Sequence, residues 1–347
     1  LNSHHGQQAR RPATSEDVAA HAGVSQSSVS LVFSGKDAGR VSAVTAARIR
    51  QSALELGYQP NLNAAALKTG RANVLALAVP TIAQPYFARV LLGAERAARR
   101  NGHAVVLFNS DSGLPWTTRL SAMIRGSQLD GAIIYAPTED EALELASQGL
   151  PLVFAETHIP DAAYVGIDVE LGMELAADHL VELGHRQIGH LAVDSRRATY
   201  RRRAEALHAR LRSTGRVISD SASEAASLDW DEAEAAAHRL LEAAPEMTAA
   251  VCDDDLLAAA LLKAAAVRGI AVPERLSVIG FGNIDVARML SPELSTVALP
   301  AEELGERAVE QLLATIAGAA APADAASPAD LAPRLVARGS TAAVRAG

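Results

Sequence analysis

Residues 16–35 read EDVAAHAGVSQSSVSLVFSG, two short apolar-periodic segments separated by a glycine and a cluster of small residues. Thr14 or Ser15 stands where an N-cap is needed, Glu16 and Asp17 follow in the first turn, and Val18, Ala19 and Ala22 fall on one helical face. The stretch therefore opens with a short helix that Gly23 ends. Ser25 is the next capping residue, and Val29, Val32 and Phe33 recur at helical spacing, which predicts a second helix after a three-residue turn. This is the spacing of a helix-turn-helix. A third helix, over about 43–56, carries Val44, Ala47, Ile49, Ala53, Leu54 and Leu56 and stops at Gly57. It gives the pair an apolar surface to pack against.

Charge places this head apart from the rest. The chain has 347 residues and a formal net charge of -8. Residues 1–72 hold eight Lys or Arg (Arg10, Arg11, Lys36, Arg40, Arg48, Arg50, Lys68, Arg71) against four acids (Glu16, Asp17, Asp37, Glu55), leaving 24 basic and 36 acidic residues for the body. A polyanion site belongs on the head. The length predicts two or three domains. No uninterrupted apolar run approaches the roughly 20 residues of a membrane crossing, so no membrane partner is expected. A single cysteine, Cys252, excludes an internal disulfide framework and suits a reducing compartment. The opening LNSHHGQQARRP lacks the parts of a secretory signal and reads as a disordered tail over 1–13, with His4 and His5 in it. The expected location is cytoplasmic, associated with the nucleoid.

After Pro60, NLNAAALKTGR offers Asn61 as an N-cap to an alanine-rich helix of about eight residues, too short to stand alone in water. From Val74 the pattern changes. NVLALAVP, HAVVLFNS, LDGAIIYAP and PLVFAET read as buried parallel strands, with helices near 86–101, 116–127 and 139–148 between them. A second series follows: a helix near 170–183, QIGHLAVD, a helix at 201–214, RVISD, a helix at 231–243, MTAAVCDD, a helix at 255–268 and LSVIGFG. The expected fold is an all-α helix-turn-helix head followed by an α/β core of two lobes, each a doubly wound parallel sheet. A ligand cleft then lies at the carboxyl ends of the strands. The low-complexity segment AGAAAPADAASPAD (317–330) reads as an irregular crossover.

Several motifs carry a resemblance. TSEDVAAHAGVSQSSVS (14–30) follows the pattern T-x-x-D-V-A-x-x-A-G-V-S-x-x-T-V-S at almost every fixed position, with Ser28 in place of its second Thr. VSAVT (41–45), LGYQPN (56–61), AAAL (64–67), LGHRQI (183–188), DDLLA (254–258) and SVIGF (277–281) follow in order. From about Thr14 to Arg338 the chain resembles the LacI/GalR family of transcriptional regulators. The resemblance implies a DNA-binding domain over 14–60 and a hinge helix and linker over 61–72. It implies a periplasmic-binding-protein-like core for effector binding and dimerisation over 73–347. The N-lobe is expected at about 73–170 and 300–330, and the C-lobe at about 171–299 and 331–347. The implied function is a sequence-specific repressor that binds a palindromic operator as a homodimer or higher oligomer. A small-molecule effector, a sugar or related metabolite, would release or recruit it.

By the same resemblance Gln26, Ser27 and Leu31 face base edges, and Ser25, Ser28, Ser34 and Thr45 contact phosphates. Leu31 stands where many members have a guanine-reading arginine, and leucine can only pack on an apolar surface such as a thymine methyl. In the hinge, with Asn61, Leu67 is the minor-groove wedge, and Ala64 and Ala65 permit close approach of two copies. Tyr86, Phe87, Asp111, Asp168, Arg203 and Asp254 are the implied effector contacts. Gly282 and Val169 depart from the usual Asp and Asn, and Trp116 is either a compensating stacking surface or a packed helix residue. A solute-binding protein would share the core but not the basic head. An enzyme lacks support: there is no phosphate-cradling glycine loop, no His-Glu-x-x-His and no G-x-S-x-G. The carboxylates of CDDD (252–255) cannot all converge on one ion from a helix start. No catalytic residue, metal or cofactor is expected.

Overall fold

The computed structural model describes residues 11, 13–59, 71–110, 115–216, 218–318 and 330–344. Contacts divide the chain into two units, Leu1–Ala72 and Asn73–Gly347. In the first, helices α1 (Ser15–Ala22), α2 (Gln26–Phe33) and α3 (Ala43–Leu56) begin at side-chain caps. Thr14 Oγ1 accepts from Asp17 N while Asp17 accepts from Thr14 N at 2.8 Å, a reciprocal capping box. Ser25 Oγ accepts from Ser28 N at 3.2 Å and Ser42 Oγ from Thr45 N at 3.1 Å. Gly23 and Gly57 end α1 and α3 in the left-handed conformation, at φ 62° and 64°.

Val18, Val29, Val32, Ala46, Ile49 and Ala53 meet in the core of this unit, and Phe33 packs edge-on to Tyr58 at 5.4 Å. The inward face of α3 differs from the expected one. Val44 and Leu54 are 79% and 76% exposed. Positions 46, 49 and 53 share a single helical stripe, and 44 and 54 lie off it. The expectations for Asn61, Ala64 and Leu67 fall outside the described residues.

The second unit holds two sheets. In the first lobe β1 (Val74–Val79), β2 (Ala104–Asn109), β3 (Gly131–Tyr135), β4 (Leu152–Ala155) and β5 (Ala163–Val165) are all parallel, in the order β2-β1-β3-β4-β5. The second lobe has β6 (Ile188–Val193), β7 (Ser223–Ala226), β8 (Ala249–Cys252), β9 (Ser277–Gly282), β10 (Ser295–Ala298) and β11 (Arg334–Val336). Their order is β11-β10-β9-β8-β6-β7, parallel except where β11 joins β10. Helices α4 (Pro85–Arg100), α5 (Trp116–Arg125), α6 (Glu139–Ala146), α7 (Val169–Glu182), α8 (Ala198–Ser213), α9 (Trp230–Ala243), α10 (Asp255–Val267), α11 (Val286–Met289) and α12 (Ala301–Ile316) lie between the strands. The strand expected at RVISD is displaced. The ladder forms over Ser223–Ala226, after a 3-10 turn at Asp220–Ala222. As an edge strand β7 tolerates the polar sequence SEAA, which the apolar pattern passes over.

Helix α12 follows the second-lobe strand β10 in sequence but packs on α4 in the first lobe. Gly93 and Gly305 make this possible. A Cβ on Gly93 would stand 1.9 Å from the Glu302 carbonyl oxygen, and one on Gly305 would stand 2.0 Å from that of Val90. The two backbones are therefore in contact, flanked by Arg96–Glu302 at 2.6 Å and Arg100–Glu306 at 3.4 Å. The chain thus passes between the lobes near residues 166–168, again before α12, and again near Leu331, which bridges to Ile167. Histidine 185 of the LGHRQI motif is structural: His185 Nε2 donates to the Ala342 carbonyl at 3.0 Å and holds the C-terminal segment. Among the described residues no helix is long and apolar enough to cross a membrane.

Replacing Gly305 with alanine forces this backbone contact apart. Gly305→Ala is expected to lower stability by about 2–3 kcal/mol, read as a fall of several degrees in thermal midpoint; an unchanged midpoint would contradict the backbone contact.

Candidate nucleic-acid interface and ligand cleft

On the head, Gln26, Ser27, Ser30 and Ser34 of and beside α2 are exposed, while Ser28 and Leu31 are half-buried. Gln26 Nε2 donates to Ser15 Oγ at 3.0 Å, joining α2 to α1. Ser25 Oγ lies 3.0 Å from Ser28 Oγ, and Ser34 Oγ donates to the Leu31 carbonyl at 3.2 Å. At the start of α3, Ser42 Oγ donates to Thr45 Oγ1 at 2.9 Å. Two helix N-termini thus carry serine caps and neighbouring hydroxyls, and Lys36, Arg40 and Arg48 are exposed on the same small unit. Amides and hydroxyls at a helix start can hold phosphate, and side chains of the first turn can reach base edges.

In the core, the carboxyl ends of β1, β6 and β8 open onto a cleft of about 350 Å³, lined among others by Gln84, Tyr86, Asp194, Arg197, Tyr200 and Asp254. It continues into a pit of about 30 Å³ bounded by Tyr86, Phe87, Tyr135, Arg203, Asp254 and Phe281. Pro85 starts α4 and sets Tyr86 and Phe87 at the end of β1. With Tyr135 they form an edge-on cluster with centroid separations of 5.5, 5.9 and 5.0 Å, and Tyr135 OH donates to Tyr86 OH at 3.3 Å.

Arg203 is buried on α8. Its guanidinium lies 4.2 Å over the Phe281 ring and 5.0 Å over that of Tyr200, Nη1 donates to the Asp253 carbonyl at 3.1 Å, and Nε is buried without a partner. Behind it, the buried Asp253 carboxylate takes His190 Nε2 at 2.9 Å and Val193 N at 3.0 Å. Asp254 caps α10, its Oδ1 accepting from Leu256 N at 2.8 Å. Burial, with Asp255 beside it, pushes its carboxyl up to about 7. Asp255 accepts from Thr296 Oγ1 at 2.6 Å and Ile284 N at 2.8 Å, and burial pushes it up to about 6. Arg197, at the start of α8, donates through Nη1 to the Ala136 carbonyl and so ties the second lobe to the first.

Of the expected effector contacts the structure brings Tyr86, Phe87, Arg203 and Asp254 together. Tyr86 and Asp254 line both cleft and pit, whereas Phe87 and Arg203 line the pit only. Asp168 stands apart from them: its Oδ1 accepts from Leu171 N at 2.8 Å and caps α7, and it is not among the residues lining the cleft or pit. Asp111 lies outside the described residues. Trp116 is buried in the first lobe, donating Nε1 to Glu141 at 2.8 Å, and is no part of the cleft.

The sequence reading missed Tyr135, Arg197, Tyr200, Phe281 and Glu156. All lie at or just beyond strand ends or at a helix start, where an open α/β sheet collects its ligand groups. Glu156 is 1% exposed and holds φ at 65°, in the left-handed region. Its Oε1 accepts from Ile167 N at 2.7 Å in the crossover, and Oε2 lies 3.5 Å from Thr199 Oγ1 on α8. Burial pushes its carboxyl up to about 7, and the Arg203 charge opposes the rise. It also lines a separate opening of about 500 Å³, together with Arg196, Arg201 and Arg202. Arg202 is engaged there by Glu170 at 2.5 and 2.7 Å.

With its folded-state value above the ordinary 4.5, Glu156 adds stability that is complete below about pH 4.5 and lost as the pH rises through about 7. Gln at this position keeps an acceptor for Ile167 N and does not titrate. Melting curves of Glu156→Gln are therefore expected to gain on the parent between about pH 4.5 and pH 8, by up to about 3 kcal/mol; a difference that does not change with pH would contradict the buried carboxylate.

Residues 14–61 match the model of bacterial regulatory proteins of the lacI family, and residues 177–341 match that of a periplasmic binding protein-like domain. The HTH-type transcriptional regulator DegA of Bacillus subtilis is 33% identical over 298 residues, which is 83% of this chain and 87% of that protein. Among solved structures, the transcriptional regulator CelR–cellobiose complex is 28% identical with a TM-score of 0.70, covering 95% of this chain and 100% of that one. The Lac repressor bound to ONPG in the repressed state is 25% identical with a TM-score of 0.82, again over 95% of this chain and 100% of the other. The helical head and the two-lobed α/β core agree with those matches along almost the whole length, and the chain belongs to the LacI family of bacterial transcriptional regulators.

Proposed function

We propose that this protein is a repressor that binds a palindromic operator as a homodimer and is released or recruited by a small molecule in the cleft between its lobes. The observation that carries the reading is that one chain joins a basic unit with two exposed, capped helix starts to a core whose cleft is bridged by Arg197 and Ala136. In this reading Gln26, Ser27 and Leu31 meet base edges, and Ser25, Ser28, Ser34 and Thr45 hold phosphates. Leu31 can read only an apolar feature such as a thymine methyl. Residues 61–72 are the hinge, with Asn61 its cap, Ala64 at the close approach and Leu67 the minor-groove wedge.

The lobes are assigned as about 73–170 with 300–330 and about 171–299 with 331–347. For the dimer, β2 is an edge strand with Val106 and Leu107 37% and 41% exposed, which supports pairing with a second copy through this edge. The effector is a sugar or related metabolite, in line with the cellobiose and ONPG of the two related structures. It alters operator affinity only by its differential affinity for two arrangements of the lobes. The protein works without catalysis, in the cytoplasm at the nucleoid.

The test is duplex binding by the full chain and by a chain lacking residues 1–72. Binding of the full chain is expected to weaken steeply with salt, and the shortened chain is expected to lose the operator altogether; equal binding by both would refute the assignment. Leu67→Ala separates the hinge from the head. It should weaken operator binding by at least tenfold while leaving random-sequence binding nearly as it was, and equal losses on the two duplexes would rule out the wedge.

A further inference from the structure

The second unit begins at Asn73, directly after residues 61–72 of the assigned hinge and linker. Asn73 is exposed and holds φ at 56°, in the left-handed region, where asparagine sits more readily than most residues. Its peptide groups are held on both sides. Asn73 N donates to Asp130 Oδ2 at 2.8 Å, and its carbonyl accepts from Ala104 N at 2.9 Å. One residue on, the Val74 carbonyl accepts from Asp130 N at 2.8 Å. The Asp130 side chain is 4% exposed, and His103 Nε2 lies 3.4 Å from the same Oδ2. His103 is fixed in turn, its Nδ1 donating to the Asn101 carbonyl at 2.8 Å.

Pairing of β1 with β3 starts only at Leu75 against Gly131, so on that side the acceptor for Asn73 N is a side chain and not the ladder. That side chain is rigidly carried. A Cβ on Gly131 would stand 2.7 Å from the Pro151 carbonyl oxygen, which leaves the Asp130–Gly131 backbone no room to shift toward β4. From this clamp β1 leads to Tyr86 at the start of α4, and β3 leads to Tyr135 and to Ala136, whose carbonyl Arg197 holds. Each strand spans roughly 17–20 Å. Clamp and cleft thus occupy opposite ends of the same two strands, and a movement of the first lobe carries both.

Resting on the regulatory reading above, we propose that Asp130, braced by His103, is a positioning residue for operator binding: it fixes the point and direction at which the chain leaves the first lobe, so that residues 61–72 of two copies are presented together to one palindrome. Without it the chain pivots about Val74, and a looser attachment lowers the effective concentration of one hinge at the other. Recognition that needs both hinges in one place then weakens. Contacts of the heads with phosphate do not need that placement, and they carry binding to random sequence. A carboxylate that only satisfied an amide at the end of a sheet would instead alter stability and leave the two kinds of binding in proportion.

The experiment uses the full chain, the palindromic duplex that the parent selects from a random pool, and a scrambled duplex of the same length, at a temperature well below the melting midpoint of every variant. Asp130→Ala is expected to bind the selected duplex about tenfold more weakly and the scrambled one within about twofold of the parent. Asp130→Asn keeps an oxygen for Asn73 N and should recover most of the loss. His103→Gln, which removes the brace alone, should lose about threefold on the selected duplex only, and it carries the test where Asp130→Ala does not fold. Hydrogen exchange without DNA should quicken in a peptide covering residues 71–76 of either variant and stay parental over residues 152–155. Equal losses on the two duplexes, parental affinity in both Asp130→Ala and His103→Gln, or parental exchange at 71–76 overturns the proposal. A parent that selects no duplex loses the regulatory reading, and the exchange measurement then decides the clamp; a parent that selects one while the variants discriminate as it does loses the clamp alone.

Discussion

The backbone contact of α4 with α12, at Gly93 against Glu302 and at Gly305 against Val90, closes the first lobe. That lobe's sheet is finished by Val165, yet the helix that covers α4 is not reached until Ala301, after the chain has built most of the second sheet. Gly93 and Gly305, each set against the backbone of the opposite helix, allow α4 and α12 to touch, and the ion pairs of Arg96 and Arg100 with Glu302 and Glu306 secure the same seam. Because the lobe is discontinuous, the chain must cross between lobes repeatedly. The crossovers lie beside the carboxyl ends of the strands, where backbone amides, helix starts and polar side chains gather.

That arrangement explains the buried charge of the cleft. Ionised groups are costly away from water and persist where geometry and hydrogen bonds compensate for the loss of hydration. Here each is fixed by a structural duty: Arg203 by aromatic faces and a carbonyl, Asp253 by His190 and a backbone amide, and Glu156 by the crossover amide of Ile167. Arg197 and Glu156 both join atoms of different chain segments across the lobe boundary. A ligand that moves one lobe against the other must re-form or break these bonds. The conformational equilibrium of the core therefore has specific contacts on which a ligand's binding energy can act.

Much of this was legible in the sequence, for identifiable reasons. The head reads clearly because its caps, Thr14, Ser25 and Ser42, and its terminating glycines are local signals whose effect does not depend on distant residues. The long strands of both sheets read as apolar runs. The short strands β5, β10 and β11 and the polar edge strand β7 do not, because partner strands and position in the sheet make them strands. In the site, Tyr86, Arg203 and Asp254, which the resemblance implies as contacts, line the cleft or its pit, and the structure separates Arg203 from its neighbours Arg201 and Arg202, which line the other opening. Asp168 and Asp254 both cap helices, and only their places in the fold, which no local signal gives, put Asp254 on the cleft and Asp168 off it. Glu156 and Arg197 escape because nothing local marks them; their importance comes from segments far apart in sequence that meet at the crossover.

The proposed regulation requires the cleft and the operator to draw on one conformational equilibrium. The direct measurement is reciprocal: operator affinity with and without saturating cleft ligand, and ligand affinity with and without saturating operator, in the same buffer. A shared equilibrium requires the two ratios to be equal, with a coupling factor on the order of 5–150. Operator affinity that does not move when the cleft is filled, together with ligand affinity that operator leaves unchanged, would contradict it.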